Sequence, residues 1–405
     1  MTANEIAGLE TRLEQFLKPL LAALPDGVGG SAGGTRRNFE AYFRGLLSDA
    51  ERKSVEPLAL EAGLPPRTLQ AFLTYVPWDH DGLRDALQRR VAQASPRMLE
   101  IGVIDETAHV KKGDKTPGVQ RQWCGTRGKV DNCIVTVHLA GAQADGQAAA
   151  LLDSDLYVPN SWGPKRRAAA GMPKGLKPRP KWRIALEQLD RADANGLRFR
   201  WLAADEGDGS KPAFLAGLVA RKQSFAIEVP KTFRGWTTPP LVIAAGVLKP
   251  STAERLARRS AFGSKWRQWK VKGTSKGPTA WEAKFLPFGF RDGKEIVRGV
   301  ELMVCRNLLN PGEVKYFVVH DAAGGAPKSA KVRAAFGRPA VEDAFQKAKG
   351  ETGLSHYEGR TYQGLLRHCQ LAALALLFLA EETARQRQKS GPRRARANSA
   401  AEPPA

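Results

Sequence analysis

Four shortages bound this 405-residue chain before any motif is sought. Its four cysteines, Cys124, Cys133, Cys305 and Cys369, include no Cys-x-x-Cys pair. That excludes a disulfide scaffold and leaves reduced thiols as the expectation. The six histidines, His80, His109, His138, His320, His356 and His368, show no zinc spacing. Long apolar runs are lacking: the longest, Leu371 to Ala380, is half a membrane span and is closed by Glu381 and Glu382, so it reads as a buried helix of a soluble protein with no membrane partner. The opening MTANEIAGLETRLEQF has no apolar core of a secretion signal, which makes a cytoplasmic, nucleoid-associated protein the expectation. Acids are scarce relative to bases: 41 Asp and Glu against 63 Lys and Arg give a net charge of +22 and a pI near 10.0. What is present, 42% hydrophobic and 26% charged residues, is globular composition, and a folded chain this basic points to a polyanion, most simply nucleic acid.

Ile6, Leu9, Leu13, Phe16, Leu17 and Leu20 recur at helical spacing and predict a helix over 4–24, kinked or divided by Pro19. After a Gly/Ser/Pro loop at 25–34, helix resumes at Arg37. The segment VEPLALEAGLPPRTLQAFLTY (55–75) has helix-turn-helix form, with a small Ala59 for close approach, Gly63 for the turn and Leu69 as anchor. Pro65 and Pro66 suit the first turn of its second helix. Such a pair is as readily a plain helical hairpin as a DNA reader. Helix continues to Ala94, and Ser95-Pro96 marks a boundary.

From Met98 the period changes. LEIGVID (99–105), VDNCIVTVHLA (130–140), 148–158 and RFRWLAAD (198–205) read as strands, with a helix at 180–195 before the fourth. Residues 224–335 are short strands and turns such as SFAIEVP, LVIAAG, GVELMVCR and VKYFVVH, and helices return at 338–349 and 361–387. The pattern predicts an α/β core with a β-rich insertion at about 224–335 and an N-terminal all-α, helix-turn-helix-like unit. The division expected is 1–95, 96–387 and a disordered basic tail at 388–405.

Asp105 closes the first core strand, Asp205 closes the fourth, and Glu342 lies on a helix. Acids at the ends of apolar strands are odd in so basic a chain. Taken singly, each is readily a solvated loop residue; together they are the cluster that two-metal phosphoryl transfer requires. The block VIDETAHVKKGDKTPGVQRQWCGTRGKVDNCIVTVHLA resembles the first catalytic block of bacterial insertion-sequence transposases of the DDE superfamily, which have an RNase H-like core. LAADEGDG resembles their second Asp block. Arg338, Glu342 and Lys349 resemble the Tyr-Arg-Glu-Lys signature, with three and then six residues between them, and GETGLSHYEGRTY with the apolar helix after it resembles the family's C-terminal end. The run from GLLSDAERK to FLTYVPWD is similar to the helical lead-in of one branch, so the resemblance extends over roughly 39–379. Two positions depart: Ala335 stands where the signature Tyr would fall, and Pro339 follows Arg338 where an aromatic residue is usual.

The resemblance implies catalytic, metal-holding carboxylates at Asp105, Asp205 and Glu342, with Mg²⁺ as the ion and Mn²⁺ as substitute. It implies double-stranded transposon-end DNA with inverted repeats as substrate, a homodimer that pairs two ends, and metal-dependent cleavage followed by strand transfer. An RNase H-like nuclease or resolvase that cuts without joining is the alternative, as is a decayed copy that only binds DNA. Two acid-free basic runs supply candidate DNA contacts: 161–183, with Arg166 and Arg167, and 255–276, with Lys265, Trp266, Arg267, Trp269 and Lys270. Arg121 and Lys129, with Trp123 and Arg127, lie in a Gly-punctuated loop and either touch DNA or shape a hairpin. On a helix advancing ~100° per residue, Arg338, Glu342, Phe345 and Lys349 share one stripe, while Asp343 points ~100° away.

Overall fold

The computed structural model describes residues 3–22, 24, 34–94, 99–143, 149–240, 249–259, 265–274 and 277–390, and within them all side chains except those of 3–7, 22, 271–274, 277–279, 339–343 and 388–390. Five helices come first: α1 (Ala3–Ala22), α2 (Gly34–Leu47), α3 (Val55–Glu61), α4 (Pro66–Thr74) and α5 (His80–Ala94). The α/β part follows as β1 (Ile101–Val110), β2 (Gln120–Cys124), β3 (Lys129–Ala142), β4 (Ala149–Leu156), α6 (Pro164–Ala169), α7 (Lys181–Ala194), β5 (Trp201–Ala203), α8 (Glu206–Gly209), α9 (Pro212–Ala220) and β6 (Phe225–Val229). Then come β7 (Arg234–Trp236), β8 (Ser251–Thr252), α10 (Ala253–Arg258), β9 (Arg267–Thr274), β10 (Gly277–Asp292), β11 (Glu295–Asn307) and β12 (Val314–His320). The chain closes with α11 (Lys328–Ala335), α12 (Pro339–Gly350) and α13 (Tyr362–Ser390).

The strands join in one mixed, 12-stranded sheet. Its centre runs β4-β3-β1-β5-β6: β3 is antiparallel to β1 and to β4, while β5 is parallel to β1 and β6 to β5. This is the mixed α/β core expected of an RNase H-like domain. The β-rich stretch is not a separate sheet. β12 pairs with β6, and β11 and β10 follow it, so the insertion extends the core sheet outward. Several boundaries differ from the sequence reading. β1 does not stop at Asp105 but runs on to Val110, because β3 continues to pair with it there. β6 is a core strand, and residues 328–335 are helical; both had been counted within the insertion. Pro19 does not divide α1, and the final helix continues through Ser390. The strand expected at LVIAAG, the boundary at Ser95-Pro96 and the tail from 391 lie outside the described residues.

The helix-turn-helix-like pair forms as α3 and α4. Ala59 and Leu69 are fully buried, Gly63 takes φ +65°, and Pro66 stands in the first turn of α4. The N-terminal helices share one apolar cluster with α13: Phe16, Phe39, Phe43 and Phe72 pack with Leu371, Leu374 and Phe378. Helix α13 is long and apolar enough to cross a membrane by length alone, but most of its apolar stretch is buried against α2, α4, α5 and β4. Polar bonds fasten it. The buried Arg367 guanidinium donates to the carbonyls of Phe72 (3.1 Å), Leu73 (3.0 Å) and Trp78 (2.7 Å) and lies over the Trp78 ring. Tyr42 Oη meets His368 Nδ1 at 2.7 Å, and Arg90 pairs with Glu381 at 2.7 Å.

Arg367→Met should therefore cost about 3 kcal/mol, because three buried carbonyls lose their donor. Urea unfolding followed by far-UV circular dichroism checks this; a loss below about 1 kcal/mol would mean that water replaces the guanidinium there.

Candidate active site

The site begins with a register. β1 and β5 pair in parallel through Ile101–Trp201, Gly102–Leu202 and Val103–Ala203, and there the ladder ends. Asp105 and Asp205 each come two residues after the last pair, so two carboxylates emerge side by side just past the end of the parallel ladder. Asp205 caps α8, its Oδ1 accepting from the backbone N–H of Asp208 at 3.1 Å. The cap is held down from below: a Cβ on Gly209 would lie 1.8 Å from the Glu228 carbonyl of β6, so only glycine lets α8 rest there. Asp105 Oδ1 accepts from the N–H of Glu106 at 2.8 Å.

Helix α12 covers the Asp105 side. Arg338, at its N-cap, places Nη2 3.6 Å from Asp105 Oδ1. Lys349, half-buried, is pushed down in pKa by burial and held up by the charge of Asp105. Phe345 packs edge-on against His138, ring centroids 5.2 Å apart, and His138 is the residue opposite Asp105 in the β1–β3 ladder. Residue 342 stands one turn after Arg338 in the same helix; its side chain lies outside the described ones, as does that of Asp343.

Several residues of the site were not singled out from sequence. Asp208, three residues after Asp205, is buried, and its pKa is raised to about 8 by burial, then by the charges of Glu106, Asp205 and Asp105, against the opposing pull of Lys181. Glu106 is raised by burial and answered by Lys181 at the start of α7, with Nζ 2.5 Å from Oε2. Behind Asp105 runs a buried hydrogen-bonded chain: His109 Nε2 to Thr136 Oγ1 (2.8 Å), Thr136 Oγ1 to His138 Nε2 (2.6 Å), and His138 Nδ1 to Ser154 Oγ (2.7 Å). Burial keeps both imidazoles neutral, His138 being lowered to about 3. The sequence signal for Asp208 was its place in DEGDG; nothing local marks the histidine chain, which long-range pairing assembles.

Among the described residues no three acidic, histidine or cysteine side chains form a ready metal cage. The donor chemistry still suits a hard divalent cation. Asp105 and Asp205 offer carboxylate oxygens, and Glu106 adds a third carboxyl close enough for its charge to act on the buried Asp208.

The expected DNA-contact residues surround this centre unevenly. The stretch anticipated as a Gly-punctuated loop is instead the β2–β3 hairpin, with Arg121 and Trp123 on β2 and Lys129 opening β3; all three are exposed, as is Arg127 in the turn. Arg166 lies over the Trp162 ring at 4.2 Å and Arg167 is half-buried in α6. Lys265, Arg267 and Lys270 are exposed, and β9 touches both α11 and α12. Trp266 is already faced by Arg306 (4.8 Å) and Lys284 (5.2 Å), and Trp269 packs on the second apolar cluster with Trp281 and Phe317. Ala335 is buried in that same cluster at the end of α11.

The family described as DDE superfamily endonuclease matches residues 30–291, roughly two thirds of the chain. The chain belongs to the DDE superfamily endonucleases. The match takes in Asp105 and Asp205 and ends before α12. The chain is also similar to a probable transposase for insertion sequence element IS701 from Microchaete diplosiphon, 35% identical over 173 residues, which covers 42% of this chain and 43% of that relative. The chain thus matches less than half the length of that relative.

In this DDE endonuclease the Asp208 carboxyl holds its proton across a pH range where an unfolded aspartate has lost it. Its contribution to stability is full below about pH 4 and is lost as pH rises through about 8. Asp208→Asn should remove that loss, so the variant gains on the wild type between pH 5 and about 8.5. Urea midpoints measured across that range check it, and parallel curves would place Asp208 among ordinary carboxylates.

Proposed function

We propose that this DDE endonuclease is the transposase of a bacterial insertion sequence, cutting the element's ends and joining them to a target with Mg²⁺, or Mn²⁺ in its place. The observation that carries the reading is the in-register emergence of Asp105 and Asp205 beneath a helix that brings Arg338 and Lys349 to Asp105. Glu342, one turn from Arg338, completes the carboxylate set on this reading, and these three residues hold the ions. When bound, two divalent ions would activate the attacking hydroxyl and stabilise the leaving oxygen. The chain's own groups do the rest. Asp105 and Asp205 fix the donor positions from a rigid sheet, and Arg338 and Lys349 offset the charge that builds on the phosphoryl oxygens. The wall of α12, seated by Phe345 on His138, carries position 342 on this reading.

The substrate on this reading is double-stranded DNA with terminal inverted repeats, held by a homodimer and contacted through Arg121, Lys129, Arg166, Arg167, Lys265, Trp266, Arg267, Trp269 and Lys270. The N-terminal unit 1–95 supplies most sequence preference, although it shares its core with α13 and is tested by point changes rather than by deletion. The enzyme works in the cytoplasm, on the nucleoid. A net charge of +22 supports this assignment of partner. A nuclease without joining activity is separated by the same assay.

Asp105→Ala, Asp205→Ala and Glu342→Gln should each lower Mg²⁺-dependent nicking of end DNA by at least about 100-fold while leaving DNA affinity unchanged or tighter. Asp343→Asn and Glu351→Gln should cut at near wild-type rate. Gel analysis of labelled end duplexes, with a target plasmid present, reads cleavage and joining together. Retention of cutting in Glu342→Gln would remove that residue from the site, and cutting without joined product in the wild type would favour the nuclease.

A further inference from the structure

Beyond the carboxylates, β1 runs on to Val110 and delivers the loop KKGDK at 111–115 to the connector between α12 and α13. Between them lies a cleft of about 530 Å³ that also touches the N-terminal helices through Arg52. Its cations are Arg52, Lys111, Lys112, Lys115 and Arg360; its acids are Asp114 and Glu358, and His356 completes the titratable lining. Glu358 is already engaged by Arg52. Lys112, Lys115 and Arg360 are exposed and make no described bond that a ligand would have to break. Lys111 is different: it is largely withdrawn from water, its Nζ gives one of its three hydrogens to the Tyr357 carbonyl at 2.5 Å, and burial lowers its pKa to about 8.

We propose that this cleft is a phosphate-binding subsite that grips the DNA backbone beyond the reacting centre. It rests on the reading of DNA as substrate and adds residues that neither basic run contains. Three arguments support it. The lining carries five cations against two acids and presents ammonium and guanidinium donors that suit phosphate oxygens. A partly desolvated ammonium gains from a neighbouring anion, which restores what burial removed. The placement is also apt. Five residues of extended strand separate Asp105 from Val110, about 17 Å at ~3.3 Å per residue, which is about five base pairs of B-form axis. Asp105 faces α12 across the strand, and the cleft lies where α12 ends, so a duplex laid along this wall meets both.

The test uses the full chain and a random-sequence 40-base-pair duplex, with affinity read by fluorescence anisotropy from low to moderate salt. Each lost phosphate contact lowers the slope of log affinity against log salt by about 0.9. The triple variant Lys112→Ala, Lys115→Ala, Arg360→Ala should lose about 2.7 units of slope and bind about tenfold more weakly at 100 mM salt, with an unchanged thermal midpoint. Lys111→Gln should weaken binding further, and its circular dichroism spectrum checks that it is folded. If the wild type binds with salt dependence and the triple variant binds with the same slope and affinity, the subsite fails while the DNA reading stands. If the wild type shows no salt-dependent binding, the DNA reading itself fails. Inorganic phosphate at millimolar concentration should compete with the duplex in the wild type more than in the variant. Phosphate that protects Lys112 and Lys115 from acetylation without affecting duplex binding would assign the cleft to a free anion instead.

Discussion

The site depends on an unequal partnership around one strand. β1 keeps β3 beside it along its whole length but pairs with β5 for only three residues. Where β5 turns away into α8, the β1 edge loses its parallel neighbour, and Asp105 and Asp205 emerge at that parting. A parallel ladder that stops where one of its strands ends opens a crevice there, and the short connection from β5 to α8 places Asp205 beside it. The tight seat of Gly209 on the Glu228 carbonyl prevents α8 from drifting, so the second carboxylate is held by backbone geometry rather than by side-chain packing. Preorganisation of that kind is what a catalytic carboxylate needs.

The other wall is held from a distance. Helix α12 enters beside Asp105 and leaves toward α13, and α13 is fixed by the N-terminal helices. Lys53, buried in the connection between α2 and α3, donates to the carbonyls of Leu46 (2.8 Å), Ser48 (2.6 Å) and Glu351 (2.5 Å), tying the end of α12 to the N-terminal unit. Arg367 ties α13 to the α4–α5 junction in the same manner. The N-terminal helices are thus tied to α12 and α13 through backbone carbonyls and two buried cations. A unit of this kind is an integral buttress of the core, whatever surface it offers to DNA.

Much of this was legible in the sequence because the signals are local. Alternation and β-branched residues marked the strands, Gly63 and Pro66 marked the turn in the helical pair, and the spacing of Arg338 and Lys349 put both cations on one helix stripe; the structure does bring both to Asp105. Other features were hidden because they are long-range. The extent of β1 past Asp105 depends on a partner strand some thirty residues away, so a strand read from its apolar run alone stopped at the first acid. The β2 strand had no apolar pattern, since Arg121 and Trp123 face solvent on the hairpin. The insertion looked separable because its pattern read as short strands, yet β10 and β11 run for 16 and 13 residues and their hydrogen bonds continue the core sheet through β12 and β6. Asp208 was overlooked for a related reason: its importance lies in burial beside other acids, and burial is a property of the fold.

The charge pattern that results sets a physical problem. A chain of +22 attracts a polyanion over its whole surface, but its candidate site gathers Asp105, Glu106 and Asp205, which repel one, around an Asp208 that keeps its proton. The cations placed among them resolve this in graded steps. Lys181 answers Glu106 on one side, and Arg338 and Lys349 answer Asp105 on the other. Those partners are single charges on flexible stems, and one of the three stands at the longer distance of 3.6 Å. They temper the repulsion without cancelling it: the charges of Glu106, Asp205 and Asp105 still add to burial in raising Asp208. The remaining negative excess favours a compact divalent ion over a further side chain, because two charges enter in the volume of one atom. On the proposed reading that ion is also what lets a phosphate approach these carboxylates. Metal and DNA would then bind with positive coupling, each lowering the electrostatic cost of the other.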